Sequence, residues 1–155
     1  MKPLIQSKLA RLAIILPVFV LASTAQAEDW TMSAEAYCET NLGNTVYSQG
    51  GLKASGGTAV VKCPLIKESA TDAITDSYAR MKRATSTGAQ PFCYIVSKNN
   101  WGSINQYTYG YAANHTGNQS VRMQPSTQYH SGYADMYCVL FQNDVLFGVR
   151  YKQKN

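Results

Sequence analysis

Residues 133–151 read YADMYCVLFQNDVLFGVRY, and this stretch decides the fold. Its first half alternates: Met136, Cys138 and Leu140 fall on one face of an extended strand, and Tyr137, Val139 and Phe141 on the other. Gln142–Asp144 has the composition of a tight turn, after which Val145–Tyr151 is expected to return antiparallel. In that return Val145, Phe147, Val149 and Tyr151 share a face, with Arg150 opposite. The same alternation places Cys93 with Ile95 in PFCYIVS, and Cys63 with Val61 and Ala59 in TAVVKC. Three of the four cysteines therefore sit inward on strands, where a sulfur is structural rather than reactive.

Working outward, short runs rich in Val, Ile, Tyr, Phe and Thr are separated by QGGLKASGG, STGAQP, KNNWG, NHTGNQS and QNDV. That punctuation is typical of antiparallel strands. The expected strands are residues 44–48, 58–63, 76–84, 92–98, 104–111, 119–124, 133–141 and 145–152. TDAITDSYARMKRAT is ambiguous, since Thr71 or Asp72 could cap a helix. The alternation of Tyr78, Arg80 and Lys82 with Ala79, Met81 and Arg83 favours a strand, with a short helical turn before it as an open alternative. The fold class that follows is all-β: a single antiparallel β-sandwich of about 7–8 strands over residues 28–155, stapled by two disulfides.

Residues 1–27 are excluded from that domain. Lys2, Lys8 and Arg11 precede the apolar run LAIILPVFVLA, which is short for a membrane span, and Ala25 and Ala27 form a small-residue cleavage signal. A signal peptide cleaved before Glu28 is expected, giving a periplasmic or extracellular protein with no stable membrane insertion. Three of the fourteen basic residues leave with it and all nine acidic ones remain, so 11 basic residues face 9 acidic ones, a net charge of +2. So balanced a chain has no field to hold a phosphate backbone, and nucleic acid is not an expected partner. The one dense basic cluster, RMKR (Arg80–Arg83), reads as a solvated strand face.

Cys38, Cys63, Cys93 and Cys138 make an even count in a short exported chain, which implies two disulfides with three possible connectivities. No CxxC pair is present and the two histidines are far apart, so neither a zinc site nor a redox centre is expected. The segments VVKCPL, YARMK, FCYIVSKN, YTYGYA and MYCVLF…VRY resemble a loose group of small exported proteobacterial four-cysteine proteins. The resemblance covers nearly all of residues 28–155. It implies a β-sandwich with Cys38 paired to Cys63 and Cys93 to Cys138, and it supplies no catalytic residues. FQNDVLFG departs from the Pro- or Gly-rich turn of that pattern.

An enzyme is not expected, and neither is a cofactor. His130, Ser131 and Asp135 are near-neighbours in sequence, which rarely meet in triad geometry, and no nucleophile elbow surrounds them. Glu35, Glu39, Glu68, Asp72, Asp76, Asp135 and Asp144 are scattered and carry no general-acid motif. Binding is better supported. Eleven tyrosines all follow the signal segment, and WGSINQYTYGYAANHTGNQ is the densest stretch. On a strand Tyr107, Tyr109 and Tyr111 face one way, and with Trp101 they form the candidate ligand-binding set: rigid aromatic area with polar tips, suited to sugar rings or a protein partner. The competing reading is a cross-strand tyrosine ladder that only stabilises the sheet. The expected function is a non-catalytic binding module for envelope or environmental glycans. The alternative is an inhibitor or immunity protein that blocks another protein with a loop such as YHSGY.

Overall fold

The computed structural model describes residues 28–66, 73–98, 104–124 and 133–154. The expected signal peptide, Trp101, His130 and Ser131 lie outside the described residues. In chain order the elements are β1 (Glu28–Ser33), a single helical turn α1 (Ala34–Tyr37), β2 (Glu39–Leu42), β3 (Thr45–Ser48), β4 (Gly51–Ala54) and β5 (Ala59–Leu65). They continue with β6 (Ala73–Arg83), β7 (Phe92–Lys98), β8 (Ile104–Tyr111), β9 (Gly117–Met123), β10 (Tyr133–Leu140) and β11 (Val145–Lys154). All eight expected strands are present, and β1, β2 and β4 are three short additions. The contested segment is the eleven-residue strand β6.

Two antiparallel sheets pack face to face. The larger has the order β3-β4-β11-β6-β9, with β1 also paired to β11, and the smaller has the order β2-β5-β10-β7-β8. Between them lies a core built by simple alternation. Val61, Cys63, Cys93, Ile95, Met136, Cys138 and Leu140 come from the smaller sheet, and Ala79, Met81, Val121, Met123, Leu146, Val149 and Tyr151 from the larger. Both disulfides have the pairing that the resemblance implied, Cys38–Cys63 and Cys93–Cys138. Cys93 and Cys138 stand directly opposite on β7 and β10, while Cys38, just after α1, ties that turn to β5.

Three expectations need correction. First, β10 and β11 do not form a hairpin. Both edges of β10 are occupied, by β5 and by β7, so after Leu140 the chain crosses to the other sheet, where β11 pairs with β4, β6 and β1. The crossing is locked by Asp144, whose carboxylate accepts from the backbone N–H of Ala84 (2.8 Å) and of Phe141 (3.0 Å). Reciprocal backbone bonds between Ala54 and the 143–144 segment, both 3.0 Å, fasten it to β4. Second, neither Val145, which stands opposite Lys82, nor Phe147 shares a face with Val149 and Tyr151. A bulge between Leu146 and Gly148 inserts one residue against β6, so Leu146 takes the core position and Phe147 is half-buried on the outer side. Third, Arg83 is not part of a solvated face. It lies inward with Ala79 and Met81 at 1% exposure, and its Nη1 donates to the Ala113 carbonyl and to Asn114 Oδ1, both at 2.9 Å.

Candidate functional site

The outer face of the smaller sheet carries the aromatic residues. Because Cys93 and Cys138 point inward, their neighbours Phe92, Tyr94 and Tyr137 must point outward. The register then sets Tyr94 between Tyr137 on β10 and Tyr109 on β8, and Phe92 between Val139 and Tyr111. Tyr107, Tyr109 and Tyr111 are 47%, 52% and 63% exposed. They flank the half-buried Tyr94, so β8 presents a rim of open rings around a more enclosed centre.

The rings form one connected platform. Tyr94 stacks on Tyr137 with centroids 5.3 Å apart and lies 5.6 Å from Tyr109 and 6.4 Å from Tyr107. Tyr107 and Tyr109 are stacked at 6.3 Å, and Phe92 reaches Tyr111 at 5.5 Å. These separations are those of favourable aromatic pairs. Burial pushes the Tyr94 phenol above its ordinary pKa, with the neighbouring Tyr137, Tyr109 and Tyr107 adding to the effect. The platform is thus uncharged at its centre at neutral pH. Aliphatic side chains extend it across the sheet in the Phe92 row, through Val139 and Val60 to the exposed Leu42.

A charged border lies beside the rings. Asp135 bridges Lys62 (3.8 Å) and Lys98 (3.5 Å), and Lys62 also reaches Glu39 (3.6 Å). Asp135, one member of the improbable triad, is thus an ion-pair partner within the sheet.

Sequence reading found the β8 tyrosines and missed Phe92, Tyr94 and Tyr137. The signal was present, since any residue adjacent to an inward cysteine on a strand faces outward. What the chain did not reveal was which strands lie side by side. Gly110 has its own role: a Cβ there would stand 2.4 Å from the Arg122 carbonyl oxygen on β9. Only glycine lets β8 close against β9 while its three tyrosines face out.

With this geometry in view, the fold can be set beside solved structures. A xylan-binding module, CBM15, superposes with a TM-score of 0.54 at 7% identity, over 82% of this chain and 97% of that one. A family 6 carbohydrate-binding module gives 0.45 at 16% identity, covering 77% and 90%. The catalytic domain of a GH87 α-1,3-glucanase gives 0.44 at 12% identity, covering 81% of this chain and 28% of that one. No protein-family model and no curated protein matches the chain. The likeness to the xylan-binding module establishes a shared β-sandwich fold.

Proposed function

We propose that the chain is an exported, non-catalytic binding module that holds a glycan against the platform of Tyr107, Tyr109, Tyr111, Tyr94, Tyr137 and Phe92, with Trp101, which lies outside the described residues, kept as a candidate on sequence grounds alone. The observation that carries this reading is the exposure of the β8 rings. A ladder serving only sheet stability would bury its rings against one another, yet Tyr111 leaves well over half its surface in water. Exposed aromatic rings grouped on one sheet face in this way support an interaction surface. Its flat, rigid rings with hydroxyl tips suit pyranose faces and their equatorial hydroxyls. The fold shared with a xylan-binding module supports the same class of ligand. Export is supported by two disulfides in so short a chain, which persist in an oxidising compartment. The inhibitor reading depends on the loop YHSGY, of which residues 129–132 lie outside the described residues.

The test is affinity electrophoresis of the oxidised chain through gels containing xylan, a β-glucan or cell-envelope polysaccharide. At least one polysaccharide should retard the wild type. Tyr109→Ala should weaken that retention about tenfold or more, as expected for truncating a central aromatic anchor, while its near-ultraviolet circular dichroism stays native. Unchanged retention in a folded Tyr109→Ala, Trp101→Ala double variant would overturn the assignment and leave the platform a stabilising ladder.

A further inference from the structure

The outer face of the larger sheet carries a different chemistry. Asp29 and Thr31 from β1, Arg150 from β11, Tyr78 and Arg80 from β6 and Ser120 from β9 line a cavity of about 540 Å³. That volume lies within the range of small-ligand clefts. Two smaller cavities on this face also have Arg80 in their walls. Register explains the convergence: Arg80 stands opposite Ser120 on one side and Gly148 on the other. The glycine lets β1 close against β11, since a Cβ there would stand 2.4 Å from the Met32 carbonyl oxygen, and this brings Asp29 and Thr31 to the cavity wall.

The charges here are not evenly compensated. Arg150 pairs with Asp29 at 2.7 Å. Arg122 grips Asp76 through two bonds of 3.0 and 3.1 Å and lies 5.6 Å above the Tyr78 ring. Arg80 has no carboxylate partner among the described residues. The cavity lining therefore holds two guanidiniums against one carboxylate, a surplus of one positive charge. Around Arg80 are the hydroxyls of Thr31 and Ser120, the half-buried ring of Tyr78, and Asp29, whose carboxylate can accept from a ligand hydroxyl.

We infer a second ligand site on this face, taking a saccharide that bears one carboxylate, a uronate, with Arg80 as the group that binds the carboxylate. A guanidinium matches a carboxylate with two parallel hydrogen bonds. The flanking hydroxyls and Asp29 match the ring hydroxyls, and Tyr78 offers a wall for the ring. A polyanion is a poorer match, because Asp29 and Asp76 would face its extra charges. A neutral sugar would bury the Arg80 charge without a partner, which is unfavourable. The site is on the sheet opposite the tyrosine platform, and neither assignment depends on the other.

The experiment is titration calorimetry of the oxidised chain with an aldobiuronic acid, one uronate linked to one neutral sugar, and with its methyl ester, which keeps the shape and removes the charge. The acid should bind, and the ester about tenfold or more weaker. Arg80→Gln should weaken the acid about 10- to 100-fold, the equivalent of losing a charge-assisted pair. Lys82→Gln, on the same strand face but outside the cavity lining, should change it less than about threefold, the effect of one exposed charge. Tyr109→Ala should leave it unchanged. Absence of acid binding, equal binding of the ester or an inert Arg80→Gln would overturn the inference. An equal loss in Lys82→Gln would instead show a diffuse field, and a loss in Tyr109→Ala would move the ligand to the platform; either also overturns it.

Discussion

Removing each disulfide in turn should separate two different kinds of stabilisation. Cys38–Cys63 closes a 25-residue separation and Cys93–Cys138 one of 45 residues. Loop-closure entropy then assigns them about 3.5 and about 4 kcal/mol, a difference of only about 0.5 kcal/mol. Burial widens the gap. Cys93 and Cys138 are both fully buried, whereas Cys38 only leans against the core. Replacement by alanine thus empties two core positions in one case and about one in the other, adding about 1 kcal/mol. The Cys93→Ala, Cys138→Ala variant should lose about 4–5 kcal/mol in urea unfolding followed by tryptophan fluorescence. The Cys38→Ala, Cys63→Ala variant should lose about 3–4 kcal/mol. Their local signatures should differ as well. β7 and β10 remain paired along seven residues without their bridge, so amide exchange there should rise only with global unfolding. β2 holds β5 through three paired positions, so without Cys38–Cys63 its amides should exchange by local fraying. A greater loss from the Cys38–Cys63 pair, or uniform exchange in both variants, would refute this reasoning.

Three further perturbations read other parts of the structure. Gly110→Ala places a Cβ 2.4 Å from the Arg122 carbonyl and 2.9 Å from Val121 Cγ1. It should cost about 2–3 kcal/mol in thermal unfolding and, by pushing β8 off β9, weaken glycan retention although no ring is altered. Tyr151 is buried and its hydroxyl donates to the Ile66 carbonyl at 2.8 Å. Burial raises its pKa to about 12, outweighing hydrogen bonds from its surroundings that lower it. The neutral form is therefore the native one: its contribution should be complete below pH of about 10 and vanish as pH rises through about 12, a change of about 2–3 kcal/mol. Urea midpoints across that window should show the loss, and Tyr151→Phe should flatten the dependence. Asp76 is held below the usual carboxylate pKa: burial pushes it up, but the hydrogen bonds from Arg122 and Tyr78 outweigh that. Its contribution should be present above pH of about 4 and fade as pH falls through the lowered value, and Asp76→Asn should remove this acid dependence from the denaturation midpoint.

The residues by themselves determined eight of the eleven strands, the inward direction of Cys63, Cys93 and Cys138, and the common face of Tyr107, Tyr109 and Tyr111. These are consequences of two-residue alternation, which is local. The strand reading of residues 76–84 rested on the same period, and so did the placing of Arg83 beside Ala79 and Met81. The chain did not disclose that Arg83 is buried, because its burial depends on Ala113 and Asn114 folding over it from thirty residues away.

Only the tertiary structure decided the rest. Val145–Tyr151 looked like the return arm of a hairpin, but a strand with both edges filled cannot accept another neighbour, and the turn residues carry no record of that. The bulge at Phe147 was invisible for a similar reason: it is a mismatch between two strands and belongs to neither alone. Tyr94 and Tyr137 joined the platform, and Asp29, Arg80 and Arg150 came to share a cavity, through register across strands distant in sequence. Local alternation fixes which way each side chain points. Which side chains become neighbours depends on strand pairing, and that is set by how the whole chain closes its two sheets around one core.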